Sequence, residues 1–456
     1  MKLLQSVNPA TGKVIAEYAA YSTSQVMGRI LRAEDAQRVW SETDFKTRAS
    51  RLGAAAELLR SRAENYAELM ANEMGKPVKE GVGEVVKCAQ VCEHYAELAP
   101  HYLADEVVDT EATKSYVCYR PLGVLLAVMP WNYPFWQVFR FAAPALMAGN
   151  AGLLKHASNV TGCSLAIQQL LRDAGFPEHL FQSILLPGSS MEKVIAHPSV
   201  RAISLTGSTP AGREVASFAG KYLKKTILEL GGSDPFIVLE DADLQHAASL
   251  AAKARMLCGG QSCIAAKRFI VVESVYADFE RLLVDAMSRI VVGAPLEQVT
   301  DMGPLARMDL REELHRQVID SVYKGAEIML GGVVQEGAGA YYPPTVLRGV
   351  TEGMPAYHEE LFGPVAALIR VRDEAHAIEI ANDTEFGLGA AVMTRNVARG
   401  EWIAARQLNA GSCFVNAFVK SDPRLPFGGI RDSGYGRELG AAGIRELCNV
   451  KTVYVA

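Results

Sequence analysis

Three short stretches of the chain carry side chains that can do covalent chemistry at a carbonyl carbon. Gly260-Gln261-Ser262-Cys263 brings a thiol to the end of a glycine-rich approach, Leu228-Glu229-Leu230-Gly231-Gly232 sets a carboxylate before two glycines, and Pro130-Trp131-Asn132 sets an amide after an apolar run. A thiolate nucleophile, a carboxylate base and an amide donor aimed at an oxyanion are the parts such a reaction needs. Singly, each has a plainer reading: a packed thiol for Cys263, a solvated or paired carboxylate for Glu229, a helix cap for Asn132. Their joint presence favours chemistry.

These side chains need a frame. Strand-like segments at 125–129, 151–155, 182–186, 202–206 and 226–230 alternate with helix-like segments around 134–148, 162–174, 191–197 and 211–219. That is the spacing of βαβ units, and it predicts a doubly wound parallel sheet with ligands at the carboxyl ends of its strands. A second α/β region follows, with strands near 269–272, 365–371, 390–394 and 412–416 and helices at 276–290 and 374–381. Residues 24–105 read as long helices, and 114–129 as a hairpin or a pair of strands. Gly331, Gly332, Gly337 and Gly339, then Pro343-Pro344, mark a loop-rich insertion.

The 456 residues predict two or three domains. Lys and Arg number 46 against 51 Asp and Glu, a net charge of −5, so no broad basic field exists for nucleic acid or an anionic membrane. The first residues lack the apolar core of a signal peptide, and no stretch approaches the ~20 apolar residues of a membrane span. The eight cysteines are scattered without paired zinc spacing, which fits a reducing, cytoplasmic setting. Cys88 and Cys92, four apart with His94 nearby, allow a metal site, but no second ligand pair follows and none is expected. No G-x-G-x-x-G follows an early strand, and Gly207-Ser208-Thr209-Pro210-Ala211-Gly212 continues Arg213-Glu214, so it is not a P-loop. The helix start after Gly207 still offers amide donors to a pyrophosphate.

Read together, Pro130-Trp131-Asn132-Tyr133-Pro134, Lys155, Thr206-Gly207-Ser208, Glu229-Leu230-Gly231-Gly232, Gly260-Gln261-Ser262-Cys263, Glu360-Leu361-Phe362-Gly363-Pro364 and Pro426-Phe427-Gly428-Gly429 resemble the NAD(P)-dependent aldehyde dehydrogenase superfamily. The resemblance runs from Asn8-Pro9-Ala10-Thr11-Gly12 to the end of the chain. It implies an α/β fold with two doubly wound parallel-sheet domains and a small β oligomerisation element: 1–112 and 131–230 for the cofactor, 231–425 for catalysis, and 113–130 with 440–456 for oligomerisation as a homodimer or homotetramer. It implies Cys263 as nucleophile, forming a thiohemiacetal and then a thioester, Asn132 as oxyanion donor together with the Cys263 backbone N–H, and Glu229 as the base that hydrolyses the thioester. Glu360 and Phe362 match positions at the nicotinamide ribose and ring; Trp131, Lys155, Ser158, Gly207, Ser208 and Leu230 match the rest of the cofactor cleft.

Many NAD-preferring relatives carry a glutamate where this chain has Ser158. A serine neither repels a 2′-phosphate nor demands a free 2′-hydroxyl, so both NAD and NADP are expected. His156 replaces a commoner proline and reads as surface variation. Ile264 and Ala265 follow Cys263, so the disulfide switch of some relatives is not expected. Arg140 lies eight residues after Asn132 among apolar neighbours; it forms either an internal ion pair or a two-pronged grip on a substrate carboxylate. An arginine there resembles the succinate-semialdehyde dehydrogenase subgroup, with Ser421 and Arg424 as further contacts at the pocket mouth. The expected substrate is a small aldehyde carrying a carboxylate, succinate semialdehyde first; another or a broader range of small aldehydes is the alternative.

Overall fold

Val124–Met129 is an unbroken aliphatic run buried along nearly its whole length, and it lies inside a six-stranded sheet. In the computed structural model, which describes residues 3–334, 337 and 339–456, the order is Gly434–Tyr435, Lys225–Glu229, Val200–Thr206, Val124–Met129, Ala151–His156, Phe181–Ser183. The pairings are parallel except that of the short Gly434–Tyr435 segment. Continuous apolar strands of this kind are those of a sheet covered by helices on both faces.

The segment expected as a hairpin or a pair of strands is a pair of strands, and the two join different sheets. Lys114–Pro121 turns away at Gly123 and pairs along its whole length with Cys448–Val455 in an antiparallel three-stranded sheet completed by Glu106–Val107. Val124–Met129 therefore belongs to the large sheet and not with 113–123. Lys114–Pro121 is buried only in part, whereas Val124–Met129 is buried at all but one position, and this separates the two strands.

A seven-stranded sheet, ordered Glu327–Leu330, Thr345–Arg348, Val365–Val371, Arg268–Val272, Pro235–Val238, Gly389–Met393, Ser412–Val415, carries the second half. All its pairings are parallel except that of Glu327–Leu330. Pro235–Val238 was not anticipated: four buried residues after a Gly-Gly turn give no usable period. The front of the chain forms four helices, Thr23–Ser41, Phe45–Ser61, Ala63–Met74 and Val78–Tyr102. The first is set by a capping box in which the Ser22 side chain accepts from Gln25 N–H and the Gln25 side chain accepts from Ser22 N–H. These helices share one apolar core with the six-stranded sheet, while the seven-stranded sheet has its own cores on its two faces. Among the described residues, no helix is long and apolar enough to cross a membrane.

Candidate active site

The carboxyl edge of the six-stranded sheet meets the amino edge of the seven-stranded one. Asn132 follows Val124–Met129, Lys155 lies in the last turn of Ala151–His156, Gly207 follows Val200–Thr206, and Glu229 closes Lys225–Glu229. From the other side, Cys263 precedes Arg268–Val272, and Glu360 and Phe362 precede Val365–Val371. The strand ends thus bring together residues that the sequence holds up to 230 positions apart.

The approach to Cys263 is a strained turn. Cys258 and Gly259 have φ of 53° and 61°, and Gly260 a φ of 79°. A Cβ on Gly260 would stand 2.1 Å from the Gly363 carbonyl oxygen, so only glycine fits. Cys258, expected as a packed thiol, is buried, and its Sγ donates to the Asn132 backbone oxygen at 3.2 Å. A non-glycine residue held at positive φ against the carbonyl of Asn132 ties the thiol loop to the amide loop.

Asn132 is 4% exposed and its side chain is pinned at both ends. Nδ2 donates to Gln261 O at 2.9 Å, and Oδ1 accepts from Tyr133 N–H at 3.1 Å. That leaves one Nδ2 hydrogen, and the Cys263 backbone N–H has no acceptor among the described residues. The Asn132 amide is thus held against the segment that carries the partly exposed Cys263, and both groups keep an N–H free to donate. Burial raises the Cys263 thiol well above the ordinary range; repulsion from Glu229 adds to this, while Lys267 and Arg140 oppose it.

Glu229 is buried, and its two oxygens are not alike. Oε2 accepts from Arg140 Nη2 at 2.9 Å, whereas Oε1 has no donor. Arg140 also pairs with Glu438 at 2.7 Å and donates to Thr206 Oγ1 at 3.1 Å. Its guanidinium lies 5.0 Å from the Phe427 ring centroid. Of the two readings of Arg140, the internal ion pair is formed here: the side chain is 2% exposed and pairs with two carboxylates. Sequence alone could not choose, because Glu438 lies 298 residues away with no motif to mark it. Burial pushes the Glu438 carboxyl up to about 7 despite Arg140.

The cleft suits a dinucleotide. Lys155 is drawn largely out of water, which lowers its pKa, and among the described residues no carboxylate pairs with it. Ser158 is exposed beside it. Ser208 holds the N-cap position of Thr209–Lys221 without using its side chain there. Leu230 packs where a Cβ on Gly212 would stand, 2.5 Å from its Cδ2, and so fixes that helix on the sheet. Trp131 and Phe362 meet edge to face at 5.8 Å. Glu360 Oε1 accepts from Gly232 N–H at 3.0 Å and lies 3.3 Å from Lys267 Nζ. Gly231 lets it in, since a Cβ there would be 2.4 Å from Glu360 Oε2. Lys267, which sequence reasoning passed over, is fully buried and donates to the Ser262 and Cys263 carbonyls at 2.8 and 2.6 Å. A lysine four residues past the thiol, amid apolar neighbours, was the available signal.

His156 is a second correction. It is 6% exposed, not a surface residue: Nε2–H donates to Pro134 O at 2.9 Å and Nδ1 accepts from Ala157 N–H at 3.0 Å. The ring thus braces the loop carrying Trp131 and Asn132, and burial lowers its pKa to about 4. Between pH 6.5 and 4 the unfolded chain takes up this proton and the native one does not, so stability falls as pH falls through that window. The loss amounts to about 3 kcal/mol at most. Urea melts of wild type and His156→Gln at pH 7 and pH 5 should give a clearly smaller pH difference for the variant; equal differences would remove His156 as the cause.

At the pocket mouth, Ser421 is buried and its Oγ accepts from Lys87 Nζ at 2.8 Å. Arg424 is exposed and folds back on Asp422 through two bonds of 2.8 and 2.7 Å, so its charge is already matched.

Comparison with known proteins agrees with this architecture. The model of the Aldehyde dehydrogenase family matches residues 2–453. A Synechocystis sp. protein named "Probable succinate-semialdehyde dehydrogenase [NADP(+)]" is 49% identical over 453 residues, covering 99% of this chain and 100% of that one. The structure of succinic semialdehyde dehydrogenase from Streptococcus pyogenes in complex with NADP+ superposes with a TM-score of 0.97 at 34% identity, covering 99% of both chains. The NAD-dependent aldehyde dehydrogenase from Sinorhizobium meliloti does so with a TM-score of 0.96 at 32% identity, covering 100% of this chain and 91% of that one.

Proposed function

This chain belongs to the aldehyde dehydrogenase family, and from that premise we propose that it oxidises succinate semialdehyde to succinate, with NADP or NAD as hydride acceptor. What supports the reading is that Glu229 neighbours the Cys263 thiol and keeps one oxygen without a donor, while the Asn132 amide is pinned to Gln261, two residues before that thiol.

In this reading Glu229 Oε1 takes the thiol proton, and the Cys263 sulfur attacks the aldehyde carbon. The tetrahedral oxyanion is held by the Asn132 Nδ2–H and the Cys263 N–H, donors typically worth roughly 3–4 kcal/mol each in the transition state. The nicotinamide, when bound, supplies the acceptor for the hydride leaving that carbon. Collapse leaves a thioester on Cys263. Glu229 releases the thiol proton to solvent and then takes a proton from the water that attacks the thioester carbonyl; the departing Cys263 thiolate takes that proton back, and the acid is freed. Arg140 fixes Glu229 through Oε2 and leaves Oε1 without a donor.

Trp131, Lys155, Ser158, Gly207, Ser208, Leu230, Glu360 and Phe362 would hold the cofactor. Ser158 in place of a carboxylate supports acceptance of a 2′-phosphate, with Lys155 near enough in sequence to neutralise it. The unpaired edge of Cys448–Val455, with Val450, Tyr454 and Val455 exposed, supports assembly of two or four copies across that strand in the cytoplasm.

A steady-state comparison of succinate semialdehyde, glutarate semialdehyde and butyraldehyde tests the substrate. The highest kcat/KM is expected for succinate semialdehyde, with turnover under both nicotinamides. A higher value for butyraldehyde would replace the reading with a general aldehyde dehydrogenase, and no turnover with millimolar NADP would overturn the cofactor assignment.

A further inference from the structure

One fully buried lysine holds the two carbonyls that bracket the Cys263 residue. Lys267 Nζ donates to the Ser262 oxygen at 2.8 Å and to the Cys263 oxygen at 2.6 Å, and it lies 3.3 Å from Glu360 Oε1. An ammonium has three N–H groups, and here each faces an acceptor. Without Lys267, the Ser262 oxygen would keep only the bond from Ala265 N–H at 3.1 Å, and among the described residues the Cys263 oxygen would keep no donor. Gly232 lets that second carbonyl in, since a Cβ there would stand 2.9 Å from it.

The Ser262 carbonyl and the Cys263 N–H belong to one peptide group. Among the described residues there is no cis peptide bond, and across a trans peptide the two point in opposite directions. A cation on the Ser262 oxygen therefore fixes the plane with the Cys263 N–H facing away from Lys267, where no acceptor of the described residues meets it. The charge also draws electron density through the amide and strengthens that N–H as a donor. Around this turn stand the carboxyl groups of Glu229, Glu360 and Asp234, set against Lys267, Arg140 and Arg255. Burial pushes the Asp234 carboxyl up to about 6 and lowers the Lys267 pKa, while Glu360 and Asp234 favour the charged lysine. Arg140 lies on the Glu229 side and Arg255 is spent on the Gly260 carbonyl at 2.6 Å, so Lys267 is the cation that holds the turn itself.

We propose that Lys267 is a positioning residue for the oxidation, orienting and polarising the Cys263 peptide N–H that receives the oxyanion. It is sealed from solvent and acts through the backbone, not on the aldehyde. The donor it sets gains most when negative charge forms on the aldehyde oxygen, so the effect belongs to the transition state and not to substrate binding.

This inference rests on the covalent reading of Cys263, and the test separates the two. Lys267→Met keeps the length of the buried stem and removes both charge and donors. Its kcat should fall about 100-fold with KM held within about 3-fold. NADP should still quench tryptophan fluorescence, because Gly232 N–H continues to hold Glu360. The rate of iodoacetamide addition at pH 8, read on the peptide containing Cys263, should fall about 10-fold, since the thiolate loses a cation that opposes Glu229. Should Lys267→Met fail to fold, Lys267→Gln, which keeps a donor without the charge, reads the same quantities, with kcat expected to fall about 10-fold or more. An unchanged kcat in the folded variant, or a loss carried by KM with kcat held, overturns the positioning role while the covalent reading stands. Wild-type enzyme that still reduces NADP once Cys263 is fully alkylated overturns both.

Discussion

Cys263→Ala should abolish dehydrogenation, with kcat/KM reduced on the order of 10⁴-fold or more, because no other group can form the covalent intermediate. The nearest thiol, Cys258, is sealed against the Asn132 carbonyl, and its pKa is pushed up to about 12 by burial. It cannot substitute. The residues placed at the cofactor remain in the variant, so NADP should still quench tryptophan fluorescence, with Trp131 in the cleft. Loss of turnover with retained quenching separates a missing nucleophile from a collapsed site. Appreciable turnover in Cys263→Ala would overturn the assignment.

Glu229→Gln should lower steady-state kcat on the order of 10²–10³-fold, the range for loss of a positioned base. The amide oxygen can still accept from Arg140, and Glu438 still balances the guanidinium, so the pocket should stay intact. What an amide cannot do is take a proton. Because the glutamate serves both the thiol and the water, the two steps respond differently. At high pH the thiol ionises without help, so a first turnover of reduced cofactor should appear rapidly and then stall at the thioester. Wild-type steady-state rates in Glu229→Gln would remove it from the hydrolytic step.

The parts of this site that could be read from sequence share one property: they sit at strand ends next to glycines. Gly231-Gly232 after Glu229 and Gly260 before Cys263 are needed because Glu360 and the Gly363 carbonyl come within contact of those backbones, and such needs leave a local mark. Partners that meet only in three dimensions leave none. Arg140 looked like a cation seeking an anion, and it was, but its anions are Glu229 and Glu438. Lys87 lay unremarked on a long helix because nothing in a helical period tells a stem packed on tryptophan from one in water. His156 shows the same limit: the Pro134 carbonyl its ring braces lies 22 residues away in sequence. The strands followed the same division. Long alternating βαβ spacing was legible, while the four-residue Pro235–Val238 and the parting of Lys114–Pro121 from Val124–Met129 depended on which sheet had room for them.

The most direct test of the account is to trap the acyl group. Glu229→Gln mixed with succinate semialdehyde and NADP at high pH, quenched in acid within the first turnover and digested, should yield one succinyl group per chain on the peptide containing Cys263, matched by one equivalent of reduced cofactor. Succinyl on any other peptide, or reduced cofactor formed with Cys263 unmodified throughout, would contradict it.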